Sequence, residues 1–257
     1  MQIIDTHAHL DHLPDFDNAI QRSYQSGVEA IVAMSMDIKS CERNLEIKRT
    51  VSAPQIYVAL GMHPSEVKFE ELETIVELIT HHRKDINAVG EIGLDFWYKW
   101  VRKDEDKKNQ QRQVYRRLLS LAKDFNLPAV VHARGAWREC LDTVIEIGVK
   151  KVNFHWYSGP LDVLKDIMDE GHFVSASPSL AHSPQLREAI AAANIKQVLI
   201  ETDCPVYYGD KEAGTGFAAE PKDVVRTLKA YCELMNVDED KTREQFNQNA
   251  RLFFGLS

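Results

Sequence analysis

Short apolar runs alternate with longer amphipathic stretches along the whole chain. The runs are Ile3–Ile4, EAIVAM (29–34), IYVAL (56–60), NAVGEI (87–92), PAVVH (128–132), KVNFH (151–155), HFVSA (172–176) and QVLIET (197–202). Each is short and nearly continuous, which is how a parallel strand buried on both faces reads. The stretches between them carry helical spacing. EELETIVELITHH (70–82) puts Leu72, Ile75, Val76 and Ile79 on one face. FDNAIQRSYQSG (16–27) ends at Gly27, a residue suited to stopping a helix. Residues 110–126, 161–171 and 222–235 repeat the amphipathic pattern. Eight strands each followed by a helix predict an α/β fold of the (β/α)8 TIM-barrel type, one domain over residues 1–257. An open doubly wound sheet is the alternative, and no GxGxxG follows any of the runs. Two stretches read as irregular, about 97–109 and about 207–220.

A TIM barrel builds its active site from the C-terminal ends of its strands. The residues standing there are His7 and His9 after strand 1, His63 after strand 3, Glu91 on strand 4, His132 on strand 5, His155 on strand 6, and Glu201 and Asp203 after strand 8. A single histidine after a buried strand is more often a hydrogen-bonded core residue than a ligand. Five at the same end of successive strands, with three acids, are better explained by metal binding. His7 and His9, two apart on an extended chain, face one way and can grip one ion. His7, His9, Glu91, His132, His155 and Asp203 make six candidate donors, more than the three protein ligands of one catalytic zinc. Two ions sharing a carboxylate would use all six. Glu91 is the expected bridge, because it lies between the strand 1 pair and the strand 5 and 6 pair. Imidazole with carboxylate favours Zn²⁺ or Mn²⁺, with Mg²⁺ behind them. Such a pair lowers the pKa of water and stabilises both sides of an in-line displacement.

The remaining polar residues have blander readings. His12 reads as a loop residue, His81 and His82 as a helix end where imidazolium meets the dipole, His172 as the start of a strand, and His182 as loop. Asp5 is placed to accept a hydrogen bond from a ligand imidazole, or merely to bond at the core edge. Glu201 either supports the site or pairs with a Lys or Arg.

Composition narrows the classes. The chain has 44% hydrophobic and 27% charged residues, ordinary for a globular protein. No apolar run approaches the roughly 18 residues of a membrane span, and no basic region with an apolar stretch opens the chain as a signal peptide would. Cys41, Cys140, Cys204 and Cys232 are scattered, which suits a reducing cytoplasm better than a disulfide framework. The net charge of −8 argues against a sequence-blind nucleic-acid binder held by a basic surface. Residues 97–117, WYKWVRKDEDKKNQQRQVYRR, answer that objection in part, because cations interleaved with aromatics could meet phosphates and stack bases. The bland alternative is a solvated helix start.

Seven motifs in order, DTHAHLD (5–11), GMHP (61–64), GEIGLD (90–95), VHAR (131–134), FHWYSG (154–159), ETDCP (201–205) and NARLFFG (249–255), resemble the TatD family of metal-dependent deoxyribonucleases, in the amidohydrolase-like barrel superfamily. The resemblance implies a metal-assisted phosphodiesterase on DNA, often trimming single strands from the 3′ end. It implies two divalent ions (Zn, Mn or Mg), with His7, His9, Glu91 and Asp203 around one and Glu91, His132 and His155 around the other. It gives Asp203 and Glu91 catalytic roles, Asp203 orienting or deprotonating the attacking water, and turns His63 and Arg134 toward the substrate phosphate. Trp156 and Tyr157, beside His155, are candidates for stacking on substrate. Ser65, Gly135, Trp156–Tyr157 and Ala219 depart from the family's usual residues, and none of these departures removes a metal ligand. The competing enzyme class is an amidohydrolase-type C–N, ester or lactone hydrolase on a small anionic substrate. Deaminases of that kind keep one metal and add a Glu after strand 5, where this chain has Ala133 and Arg134. A third class is a metal or DNA binder that keeps the site as a relic. DNA is the expected partner, with no membrane, no inferable protein partner and a monomeric state.

Overall fold

In the computed structural model, which describes residues 2–256, the eight apolar runs form one parallel sheet in chain order. The strands are β1 (Ile3–Ala8), β2 (Val28–Met34), β3 (Gln55–Leu60), β4 (Ala88–Asp95), β5 (Ala129–Arg134), β6 (Val152–Phe154), β7 (Phe173–Ala176) and β8 (Val198–Ile200). The seam between β8 and β1 is drawn together beside the first histidine motif. Ala8 bridges Cys204, the Asp203 N–H donates to the His7 carbonyl at 2.9 Å, and the Thr6 hydroxyl donates to the Ile200 carbonyl at 2.8 Å. Strand-like segments left unpaired there would bury orphan peptide groups.

Each strand is followed by a helix: α1 (Phe16–Gln25), α2 (Ile38–Thr50), α3 (Leu72–His81), α4 (Glu105–Asp124), α5 (Trp137–Ile147), α6 (Leu161–Asp169), α7 (Pro184–Ala192) and α8 (Val224–Met235). A ninth, α9 (Glu239–Phe254), follows directly. Alternate strand residues feed two apolar layers. Ile31, Val58, Val131 and Val174 pack under the helices, whereas Val32, Met34, Val130 and Leu199 fill the barrel. Phe253, Phe254 and Leu256 join that interior group from the end of α9. Asn247 accepts the Ile4 N–H at 3.1 Å, and Asn249 donates to the carbonyls of Ile195 and Val198, both at 2.7 Å. The N-terminal end of the barrel is thereby plugged, leaving the opposite end for the site. Among the described residues no helix is long and apolar enough to cross a membrane.

Both irregular stretches are more ordered than their sequence suggests. The loop after β4 ends at Asp104, whose side chain caps α4 by accepting the Lys107 N–H at 3.1 Å, so the helix starts at Glu105. Residues 207–220 contain an antiparallel hairpin, β9 (Tyr207–Asp210) with β10 (Thr215–Ala218). Its glycines removed the alternation that would have marked it. A Cβ on Gly209 would lie 2.2 Å from the Thr215 carbonyl oxygen.

Gly93 is required in β4 for a sharper reason. Its φ is +151°, and a Cβ there would sit 1.9 Å from the carbonyl oxygen of His132. Gly93→Ala must shift one of two strands that carry polar site residues. The expected loss is about 2–5 kcal/mol of folding stability, read from denaturant unfolding. A loss under about 0.5 kcal/mol, the range of an ordinary surface change, would mean the two strands are not packed this tightly.

Candidate metal centre

Two departures from strict alternation aim the site. Ile4 faces the barrel interior, so regular alternation would send Ala8 inward as well. Ala8 instead packs under the helices, and the β1–β2 pairing shifts between Asp5 and Ala8. His7 and His9, flanking Ala8, consequently turn inward. In β4, Val89 packs outward and so do Ile92 and Leu94, with the β4–β5 register shifting between Val89 and Ile92. That extra residue swings Glu91, Gly93 and Asp95 to the inside. β5 needs no such device, since Val130, His132 and Arg134 alternate inward, and Phe154 facing out leaves His155 facing in.

The result is one cluster with two halves. His7 Nε2 lies 3.3 Å from His9 Nε2, 3.2 Å from Glu91 Oε2 and 3.4 Å from Asp203 Oδ1. His9 Nε2 lies 3.4 Å from Glu91 Oε2 and 3.2 Å from Asp203 Oδ1. A tetrahedral ion with bonds of about 2.0–2.1 Å separates its donors by about 3.3 Å, so this half matches such an ion. In the other half Glu91 Oε1 stands 3.0 Å from His132 Nδ1 and 2.8 Å from His155 Nε2, which are 3.3 Å from each other. The two oxygens of Glu91 therefore face different sets of imidazoles. His7, His9 and Asp203 form one group of donors able to hold a metal ion, and His63, Glu91 and His132 form another.

A further ring of residues orients these groups. His132 Nε2 is 2.9 Å from Asp95 Oδ2, and His155 Nδ1 is 3.2 Å from Glu201 Oε1, so in each ring a carboxylate takes the N–H and the other nitrogen's lone pair faces Glu91. Ser175 donates to Glu201 at 2.5 Å. Glu201 thus supports the site rather than pairing with a Lys or Arg. Asp5 does not reach an imidazole. Its carboxylate accepts the backbone N–H of His7 and of Thr202 and the Thr202 hydroxyl, which holds the β8–β1 seam. Among the described residues Nδ1 of His7 and of His9 has no hydrogen-bond partner.

The electrostatics describe a buried site short of positive charge. Burial opposes ionisation of Glu91, yet His155, His63, His7 and the hydrogen-bonded His132 hold its carboxyl well below the usual range. Burial likewise opposes ionisation of Asp203, and His9 and His7 lower it all the same. Burial would lower His9, but hydrogen bonds to Asp203 and Glu91 outweigh it and lift the ring to about 10. His132 and His155 are also raised against burial, by Asp95 and Glu91 and by Glu91 and Glu201 respectively. Carboxylates held ionised while imidazoles are drawn toward the cation are what a divalent ion would satisfy, and the donor set fits one.

The cluster forms the floor of a cavity of about 660 Å³, with His63, Tyr98, Arg134 and Trp156 on its walls. His63 accepts the backbone N–H of Ser65 on Nδ1 at 3.0 Å. A backbone amide can only donate, so the proton of the neutral ring is on Nε2, which faces the cavity 3.4 Å from Glu91 Oε1. Burial lowers the pKa of this ring. His63 is therefore arranged as a hydrogen-bond donor and, with that proton in place, does not ligate the ion that its position beside Glu91 and His132 would otherwise allow. Arg134 gives its Nε to Asp95 Oδ2 at 2.7 Å and lies over the Tyr98 ring at 4.7 Å. Its two terminal nitrogens have no acceptor among the described residues.

Tyr157 is not at the site. It is 1% exposed, and its hydroxyl donates to the Pro160 carbonyl at 2.7 Å. Trp156, immediately before it, adopts φ +44° and breaks the strand's alternation, which sends Tyr157 into the core. The expectation that it stacks on substrate is corrected accordingly. His12 stands on the rim, 3.2 Å from Asp11. Asp95 is the residue that sequence reasoning overlooked, although it lies two and four positions beyond Gly93 and Glu91 on the same face of β4.

The profile of TatD-related DNases matches residues 4–255. Among relatives, an uncharacterized metal-dependent hydrolase of Methanocaldococcus jannaschii is 31% identical, over 99% of this chain and 97% of its own. A deoxyribonuclease of Homo sapiens is 27% identical, over 98% of this chain and 94% of its own. The crystal structure of a TatD homologue from Escherichia coli K12 has the same fold, with a TM-score of 0.87 at 24% identity, covering 99% of this chain and 98% of that one. The motifs, the donor cluster and all of the barrel but Ile3 lie within the matched span, and the chain belongs to the TatD-related DNase family.

Proposed function

We propose that this metal-dependent hydrolase is a two-metal phosphodiesterase that cleaves DNA, removing nucleotides from the 3′ end of a single strand, and that residues 1–257 act as one monomeric domain. The observation that carries the two-metal reading is the split carboxylate of Glu91, with Oε2 toward His7 and His9 and Oε1 toward His132 and His155. His7, His9, Glu91 and Asp203 would hold one ion; Glu91, His132 and His155 would hold the other. Ions bound there would supply an acidified water and charge stabilisation for the reacting phosphoryl oxygens. Asp203 orients the attacking water and accepts its proton. The Nε2–H of His63 and the free end of Arg134 bind the non-bridging phosphate oxygens, and Trp156 packs against the nucleotide. A cavity of about 660 Å³ suits an unstacked strand end better than a duplex. The names carried by the human and archaeal relatives support both the DNA substrate and the metal dependence.

Arg134→Lys tests the substrate. Lys can keep an ion pair with Asp95 but cannot offer a two-nitrogen fork to a phosphate. Cleavage of single-stranded DNA should fall about tenfold to a hundredfold, the range for losing a hydrogen bond to a charged group, with metal content and thermal midpoint kept. The assay compares single-stranded DNA, RNA, bis-p-nitrophenyl phosphate and a neutral lactone. Equal losses on lactone and DNA, or a clear wild-type preference for the lactone, would replace the nuclease reading with the amidohydrolase one.

A further inference from the structure

The loop between β4 and α4 carries features that the reaction described above does not use. Trp97 and Trp100 are 59% and 51% exposed, a large aromatic surface to leave in water. Tyr98 lies between the site and the solvent. One side of it meets the Arg134 guanidinium at 4.7 Å, and its ring stacks on Trp100 with centroids 4.4 Å apart and planes at 17°. Trp97 has a structural duty, since it covers Gly135, where a Cβ would meet its ring at 2.4 Å, and packs edge-on against Trp137. Trp100 has no comparable duty.

The cations separate in the same way. On α4 they are spoken for: Lys108 pairs with Glu105, Arg112 with Glu139, Arg116 with Glu146 and Arg117 with Glu73. The part of the basic run that lies on α4 is therefore a helix face whose cations already have acidic partners. In the loop itself Lys99, Arg102 and Lys103 are exposed and have no acidic partner among the described residues. The loop is nonetheless firmly built. Val101 is buried, the N–H groups of Val101 and Arg102 both bond to the Tyr98 carbonyl at 2.9 Å, and the Trp97 N–H bonds to Asp95 Oδ1 at 2.9 Å.

We propose that Trp97–Lys103 is a second subsite, a platform on which unpaired bases of the strand outside the cavity stack on Trp100 while Lys99, Arg102 and Lys103 meet their phosphates. The inference rests on the DNA reading above and extends it beyond the scissile nucleotide. Exposed aromatics interleaved with unpaired cations are the chemistry of sequence-tolerant single-strand binding. The line from Arg134 through Tyr98 to Trp100 makes the platform continuous with the cavity. A duplex offers no open base faces along that line, so the platform would select single strands.

The test titrates the metal-loaded protein, by calorimetry, with a phosphorothioate dinucleotide and with a ten-nucleotide phosphorothioate strand. Trp100→Ala should weaken the ten-nucleotide strand by about fivefold to a hundredfold, the range for losing one stacked base, and the dinucleotide far less. Trp100→Phe should retain most of the difference. A ten-nucleotide strand that wild type does not bind, equal losses on both ligands, or no loss on the longer one would each overturn the platform. So would retained strand affinity with a wild-type dimer that Trp100→Ala dissociates, which would assign the surface to a second copy. A wild type that binds the strand through Trp100 without cleaving DNA would sink the nuclease reading and leave the platform standing. Cleavage with binding indifferent to Trp100 would do the reverse.

Discussion

Asp203→Asn should lower turnover of single-stranded DNA by about 10²–10⁴-fold while leaving a folded protein that still takes up metal. The geometry allows this separation. Asp203 sits at φ +49°, a region that Asn tolerates as well as Asp, and its N–H bonds to the His7 carbonyl whichever side chain follows. Oδ1 lies 3.4 Å from His7 Nε2 and 3.2 Å from His9 Nε2, and an amide oxygen can occupy that position. An amide cannot take a proton from water at neutral pH. The loss should therefore appear in kcat, with KM changing little, because the phosphate contacts proposed for His63 and Arg134 do not involve Asp203. Activity is measured at saturating metal, beside elemental analysis and thermal unfolding of the same sample. A metal-loaded variant with near-normal kcat would remove Asp203 from proton transfer.

The barrel was legible because its signal is redundant. Eight buried strands are each written as an apolar run, and an error of two residues at any end leaves the topology unchanged. The strand-end histidines were legible for the same reason, since topology alone carries them to one end. Side-chain direction depends on single residues and was harder to read. Nothing in AVGEIGLD announces that the register slips between Val89 and Ile92, yet that slip turns Glu91 inward. Tyr157 failed because Trp156 takes a left-handed backbone, which alternation from His155 could not foresee. Asp95 could have been found from its parity with Glu91. The charge run on α4 misled because three of its partners, Glu139 and Glu146 on α5 and Glu73 on α3, are brought alongside only by the fold.

Glu91→Gln should have the largest effect, at least about a thousandfold in turnover, and it should change metal content where Asp203→Asn does not. Removing charge stabilisation from a reacting phosphate is worth several kcal/mol, and each 1.4 kcal/mol is a factor of ten. Gln keeps the shape of Glu91 but has one oxygen and one NH₂. Whichever way the amide turns, its NH₂ faces either His7 and His9 or His132 and His155, whose lone pairs are needed for an ion. The formal charge at the centre of the cluster is lost as well, and with it the attraction that draws His155 and His132 upward. Wild type should take up about two divalent ions per chain, and the variant at most one. Metal added to wild type should also raise its thermal midpoint, since an ion that binds only the folded state stabilises it by mass action. The Gln variant should show a smaller rise at the same metal concentration. Two ions bound to Glu91→Gln with wild-type affinity would contradict a bridging carboxylate. Wild type held at one ion with full activity would contradict the two-metal reading itself.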